Sequence, residues 1–167
     1  MKIIEALVAE HDIILAAIGN MERQVKASPQ DFLAQAPAYI QFIQEFADAF
    51  HHGKEENILF KVIGEPGVLA HCNPVPQMFH EHKLGRDFLQ RMQAGVDAGD
   101  ASMLAEGALA YGELLRSHIF KENNILFPMA QRSLSPAGQQ AVDDELAEAG
   151  EPTLAEKVLS YQAVLAG

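Results

Sequence analysis

Cysteine is nearly absent from the sequence, Cys72 being the single one. No internal disulfide can form, so the fold does not depend on an oxidising compartment. There is no run of about 18 apolar residues, and no helical membrane span is indicated. Strand signals are missing too, with neither sustained period-2 alternation nor an Asn-Gly or Asp-Gly hairpin turn. Basic residues are scarce beside acidic ones, 12 against 23, giving a formal net charge of −11. Such a surface repels phosphate backbones and anionic lipid, so no nucleic acid and no membrane is expected as a partner. It attracts cations, although acidity of this size is also an ordinary means to solubility. The basic start and uncharged stretch of a secretory signal are lacking: Glu5, Glu10 and Asp12 fall within the first dozen residues, and a cytoplasmic location is expected.

What is present is helix. Of 167 residues, 49% are apolar, enough for one domain with its own core. Ile4, Leu7, Val8, His11, Ile14, Leu15 and Ile18 form one helical face, with a histidine inside the apolar stripe. A first long helix is predicted over about 2–27. Ser28-Pro29, with Asp31, reads as a cap and first turn. Pro37 then separates this lead-in from a second long helix over about 38–63, ended by Gly64-Glu65-Pro66-Gly67. His71 and Cys72 fall in the loop that follows. A third helix over about 75–97 carries Val75, Met78, Phe79, His82, Leu89 and Met92 on one face. After Gly99-Asp100 a fourth runs to about 131, with Tyr111, Leu114, Leu115, His118, Glu122, Ile125, Leu126 and Met129 on one side. Short connections between long helices predict an all-α, up-down antiparallel four-helix bundle over 1–132. Two weaker helices, to about 149 and over 154–165, form an extension over 133–167 packed on the same domain.

The two halves of this pattern repeat. Glu10-His11 in the first helix corresponds to Glu81-His82 in the third. His51-x-x-x-Glu55 in the second corresponds to His118-x-x-x-Glu122 in the fourth, and KEENILFK at 54–61 lies over KENNILFP at 121–128 without a gap. A repeat in sequence implies a symmetry in space. Helix residues four apart differ by about 40° in direction and about 6 Å in height, so each His/Glu pair points one way. Two such helices face to face, with the lone histidines of the other two, bring together His11, His51, Glu55, His82, His118 and Glu122. Imidazole and carboxylate without thiolate suit iron, manganese or zinc. The polar reading is opposed by a bland one, in which a lone histidine bonds a core carbonyl and a His/Glu pair lies on the surface. The repeat and the apolar residues around each pair favour the metal.

The segments EHDIIL, HHGKEENILF, MFHEHKLGR and HIFKENNILFP resemble the hemerythrin-like HHE cation-binding family over about residues 5–130. The resemblance implies two iron ions in an oxo- or hydroxo-bridged centre, with manganese or zinc as lesser choices. It also implies a small diatomic or peroxide ligand. Family members bind dioxygen, sense oxygen or iron, handle nitric oxide or peroxide, or help repair iron centres. The expected function is therefore binding of dioxygen or a related small ligand. The alternatives are a stress-defence enzyme consuming peroxide or nitric oxide, and a non-enzymatic, iron-responsive or structural protein. Self-association into a homo-oligomer is left open. Oxygen-carrying hemerythrins have a further histidine one turn before the third-helix histidine, where this chain has Met78. Either one iron has a donor fewer, which favours redox turnover, or another residue replaces it.

Around this set, only His51 aligns with His118 in the repeat and has Glu55 four residues on, which favours it over the competing register of His52 with Glu56; outside the set, His52 is a candidate outer hydrogen-bond partner. His80 is expected to face solvent. Tyr111, seven residues before His118, either fills the core or sets a phenol over the metal pair. Gln44 is its inward-facing counterpart in the repeat. Leu7, Met78, Leu114, Leu115, Ile58 and Ile125 are expected to wall the site.

Overall fold

The computed structural model describes residues 1–69 and 72–166. The predicted loop position His71 lies outside the described residues; Cys72 beside it is exposed and unpaired. Among the described residues every regular element is helical, and no helix is long and apolar enough to cross a membrane.

Helix α1 spans Lys2–Ala27. Its first turn is completed from far along the chain, since the backbone N–H groups of Lys2 and Ile3 donate to the Asp143 carboxylate at 3.0 and 3.1 Å. Ser28 caps the single turn α2, Pro29–Phe32, its Oγ accepting from the Asp31 N–H at 3.2 Å. The second long helix, α3, covers 36–63, with Pro37 in its first turn rather than before it. Proline is tolerated there because a first-turn N–H has no intrahelical partner. Helix α4 is Val75–Ala98, closed by Gly99 at φ +65°, a left-handed conformation that favours glycine. Asp100 then caps α5 by accepting from the Ser102 and Met103 N–H groups, both at 3.0 Å. Helix α5 covers 101–133. The extension forms α6 (Pro136–Glu148), α7 (Leu154–Leu159) and α8 (Gln162–Leu165).

Two of the long helices are not α-helical throughout. In α3 the backbone is π-helical over Ile43–His52 and again over Glu55–Leu59; in α5 it is π-helical over Glu122–Leu126. A π turn is wider and rotates each residue by less than the roughly 100° of an α-helix. Pro128, two residues past the π turn of α5, has no N–H to donate. Lys61 holds the matching place in α3, which has the same π turn without a proline, so the widening belongs to the repeat.

The core lies in two apolar clusters. One includes Ile14, Ile18, Phe46, Leu89, Leu115 and Ile119; the other includes Ile3, Leu7, Ile58, Met78, Leu126 and Phe127. Each long helix passes from one cluster to the other through a buried polar layer, at His11, His51–Glu55, His82 and His118–Glu122. The extension seals both ends. Val142 joins the second cluster, while Tyr161 and Val164 join the first. Tyr161 donates its hydroxyl to Glu45 at 2.8 Å, and Asn20 donates to the Val164 carbonyl at 2.9 Å.

Three sequence expectations are corrected. Gln44 is exposed, because the π register of 43–52 breaks the two-turn spacing that would have brought it inward. Ile125 is 48% exposed inside the π turn of α5 and does not wall the site. Phe79, next to Met78 on the predicted face, is 41% exposed at the margin of the stripe.

Candidate metal centre

The polar layer holds five imidazoles and two carboxylates, none more than 3% exposed: His11, His51, His52, His82, His118, Glu55 and Glu122. They fall into two groups, each with ligand atoms within 4.8 Å of one another. The first is His11, His51, Glu55 and Glu122; the second is His52, Glu55, His82 and His118. All six residues singled out by the repeat are in these groups.

The carboxylates span the groups. Glu55 has Oε1 3.5 Å from His51 Nε2 and Oε2 3.4 Å from His82 Nε2. Glu122 has Oε2 3.2 Å from His11 Nε2 and Oε1 3.2 Å from His118 Nε2. None of these four buried oxygens has a hydrogen bond of sound geometry, and His11 Nε2 and His52 Nε2 are likewise without one. A protein does not bury so many unanswered polar atoms without a purpose, since each costs about 1–3 kcal/mol and a charged one more. His82 Nε2 and His118 Nε2 lie 3.1 Å apart. Two nitrogens bound side by side to one ion at about 2.1 Å, at a right angle, are separated by about 3 Å. The donor set therefore fits cations.

Each ring is oriented from its other nitrogen. His51 Nδ1–H donates to Glu10 at 2.9 Å, and His118 Nδ1–H to Glu81 at 2.8 Å. His82 Nδ1–H donates to Glu56 at 2.7 Å, His11 Nδ1–H to the Asn123 amide oxygen at 2.8 Å, and His52 Nδ1–H to Asp48 at 3.2 Å. The acceptors are themselves held. Lys54 Nζ donates to Glu10 at 2.6 Å and Lys121 Nζ to Glu81. Arg86 grips Asp48 through Nε at 2.9 and 3.0 Å and reaches Glu56 at 2.8 Å. Outer partners of this kind fix the tautomer that leaves Nε2 free for a metal. Sequence reasoning did not assign them, although Glu10, Glu81, Lys54 and Lys121 all lie inside the repeat.

The electrostatics reflect the crowding. Burial alone would lower His118, but Glu122, joined by Glu81, lifts it to about 10. His11 and His82 are also raised against burial, by Glu122 and by Glu55 with Glu56. Burial wins at His52, which falls to about 4, and at His51, well below its ordinary value. Glu122 is held well below the usual carboxylate range because His118 and His11 outweigh its burial. Glu10 is raised, its desolvation exceeding the pull of Lys54.

His52 is the departure from expectation: its ring enters the second group and stacks on His82 at 3.8 Å between centroids. The π segment ending at His52 explains it, because reduced rotation per residue lets His51 and His52 both face inward. Met78 is 2% exposed, packs in the apolar cluster and lies in neither group. His80 is exposed, as expected. Tyr111 is buried, and with His52, His82, Gly85, Arg86 and Leu89 it lines a cavity of about 10 Å³, room for about one water. Burial and Asp48 push its phenol pKa far up, so it stays protonated.

No curated protein and no solved structure matches the chain. The hemerythrin HHE cation-binding domain model matches residues 2–130, through all four long helices and every donor described above. By that match, and by the paired histidine and glutamate donors at its centre, the chain belongs to the hemerythrin HHE cation-binding domain family.

Proposed function

We propose that this protein holds two iron ions side by side in an up-down antiparallel bundle and uses them to bind dioxygen or a related small ligand. His11 and His51 would hold one ion and His52, His82 and His118 the other, with Glu55 and Glu122 between them. The observation that carries this reading is the set of four buried carboxylate oxygens, one from each glutamate turned to each group and none hydrogen bonded. When bound, the metal pair supplies a redox-active Lewis acid. Imidazole with carboxylate and no thiolate suits iron, manganese or zinc, and the family resemblance puts iron first. His52 would supply the second group with the third imidazole that Met78 cannot.

The chain's own residues do the rest. Phe127 stacks on the His11 ring at 5.7 Å, and Leu7, Ile58, Met78 and Leu115 close the layer from both sides. These walls exclude bulk water and admit only small molecules. The first group offers one imidazole fewer than the second, which leaves more room there for a ligand from outside. A second reading, consumption of peroxide or nitric oxide, is favoured by Tyr111 in the cavity beside His52 and His82. It predicts that iron-loaded protein removes peroxide, and that Tyr111→Phe slows this without loss of metal.

Metal content and an optical spectrum before and after reduction test the main reading. Two irons per chain, with near-ultraviolet bands that bleach on reduction, support it. Two zincs, one ion or none, in protein grown with ample iron, overturn it.

A further inference from the structure

The repeat makes the two halves of the centre comparable position by position, and they differ at one outer contact. His82 donates to the carboxylate of Glu56 at 2.7 Å, whereas its counterpart His11 donates to the amide of Asn123 at 2.8 Å. Glu56 and Asn123 are the one mismatch between KEENILF and KENNILF. The other outer contacts match, with Glu10 behind His51 and Glu81 behind His118. His52, present only in the second group, adds a third imidazole backed by Asp48. All three rings of the second group thus donate to carboxylates, but only one of the two rings of the first does.

An N–H donated to a carboxylate pushes more electron density onto the imidazole than one donated to a neutral amide. Glu56 is also fixed in place, since Arg86 binds the same Oε1 at 2.8 Å and is itself anchored on Asp48. Among the described residues no cation clamps Asn123, which accepts from His11 alone. We propose that the Glu56/Asn123 difference, added to His52, makes the two metal positions unequal, so that a divalent ion fills the His52/His82/His118 position before the His11/His51 position. Glu56 and Asn123 are positioning residues here, acting on metal only through His82 and His11. The inference rests on the two-ion reading above.

The test is stepwise titration of the metal-free full chain with Co²⁺ against a competing chelator, read by visible absorption and by calorimetry. Two cations side by side repel, so unequal steps alone prove nothing; the informative result is which step each variant moves. Glu56→Gln and Asn123→Asp are nearly isosteric exchanges of carboxylate and amide. Glu56→Gln is expected to weaken the first step by about 10-fold or more and leave the second within about 3-fold. Asn123→Asp is expected to tighten the second step and leave the first. A Glu56→Gln effect on the second step instead, or an equal effect of either variant on both steps, overturns the proposal while leaving a two-ion site intact. Fewer than two ions bound by the unaltered chain overturns both the proposal and the function it rests on. Asn123→Asp stands as an independent check, because it keeps every hydrogen bond of the Glu56 side.

Discussion

Replacing His52 with leucine separates a metal ligand from a packing residue. Burial holds this ring down to about 4, so at pH 7 the substitution removes no charge from the metal-free protein. It removes a buried Nε2 that has no partner, relieving about 1–3 kcal/mol. It forfeits the bond to Asp48 at 3.2 Å, about 1 kcal/mol, and the stacking on His82, about 0.5–1.5 kcal/mol. Asp48 keeps Arg86. These effects nearly cancel, so metal-free stability should change by about 1 kcal/mol or less, which is about 2–4 °C in Tm for a chain of this size. The metal-loaded protein behaves differently. Loss of an imidazole donor weakens binding by about 10–100-fold or more, judged from what loss of an outer partner alone costs. Each tenfold removes about 1.4 kcal/mol of metal-bound stability. The rise in Tm on adding Fe²⁺ under anaerobic conditions should therefore shrink by about 3–11 °C in His52→Leu. Paired calorimetric scans, with and without metal, give both numbers. An undiminished rise would show that His52 is no ligand and refute the seven-donor centre. A large fall in the metal-free Tm would mean that the ring serves the fold.

Lys54 is 3% exposed between Glu10 and Glu151, while its counterpart Lys121 is 31% exposed on Glu81. Urea denaturation should show Lys54→Met costing about 3–5 kcal/mol, by stranding a buried carboxylate, and Lys121→Met about 1 kcal/mol or less. His118, lifted from 6.5 to about 10, is protonated in the metal-free protein at pH 7. Its stabilisation is complete below 6.5 and lost as pH rises through about 10, so the metal-free Tm should fall across that window. Over the same range metal affinity should rise about tenfold per pH unit for each proton displaced. Calorimetry in buffers of different ionisation heats should count at least one proton released at pH 7, and heats independent of buffer would contradict this. Gly95 packs against α5 so closely that a Cβ would lie 2.6 Å from the Leu104 nitrogen and 2.9 Å from its Cα. Backbone cannot yield as a side chain does, so Gly95→Ala should lower stability by about 1–3 kcal/mol, visible in a thermal melt.

The amino-acid sequence alone determined the helices and which six repeated histidines and glutamates come together in the buried layer. A His-x-x-x-Glu pair carries its own geometry, because any helix turns those two side chains to one side. Histidines inside apolar stripes at His11 and His82 pointed inward for the same reason, and the repeat tied them to His51–Glu55 and His118–Glu122. Helix ends at Ser28 and Gly99-Asp100 were also readable, since caps are local chemistry. His52 was not, because α-helical spacing was assumed where the backbone widens to π over Ile43–His52. The same assumption turned Gln44 and Ile125 inward when both face out. A π turn has no residue signature of its own and forms when packing on the other helices favours it. The outer partners show the same boundary. Glu10 and Glu81 stood next to the lone histidines in the sequence, but each serves the ring of another helix, His51 and His118. Which carboxylate meets which imidazole depends on how the helices are set against one another, and tertiary packing alone decides that.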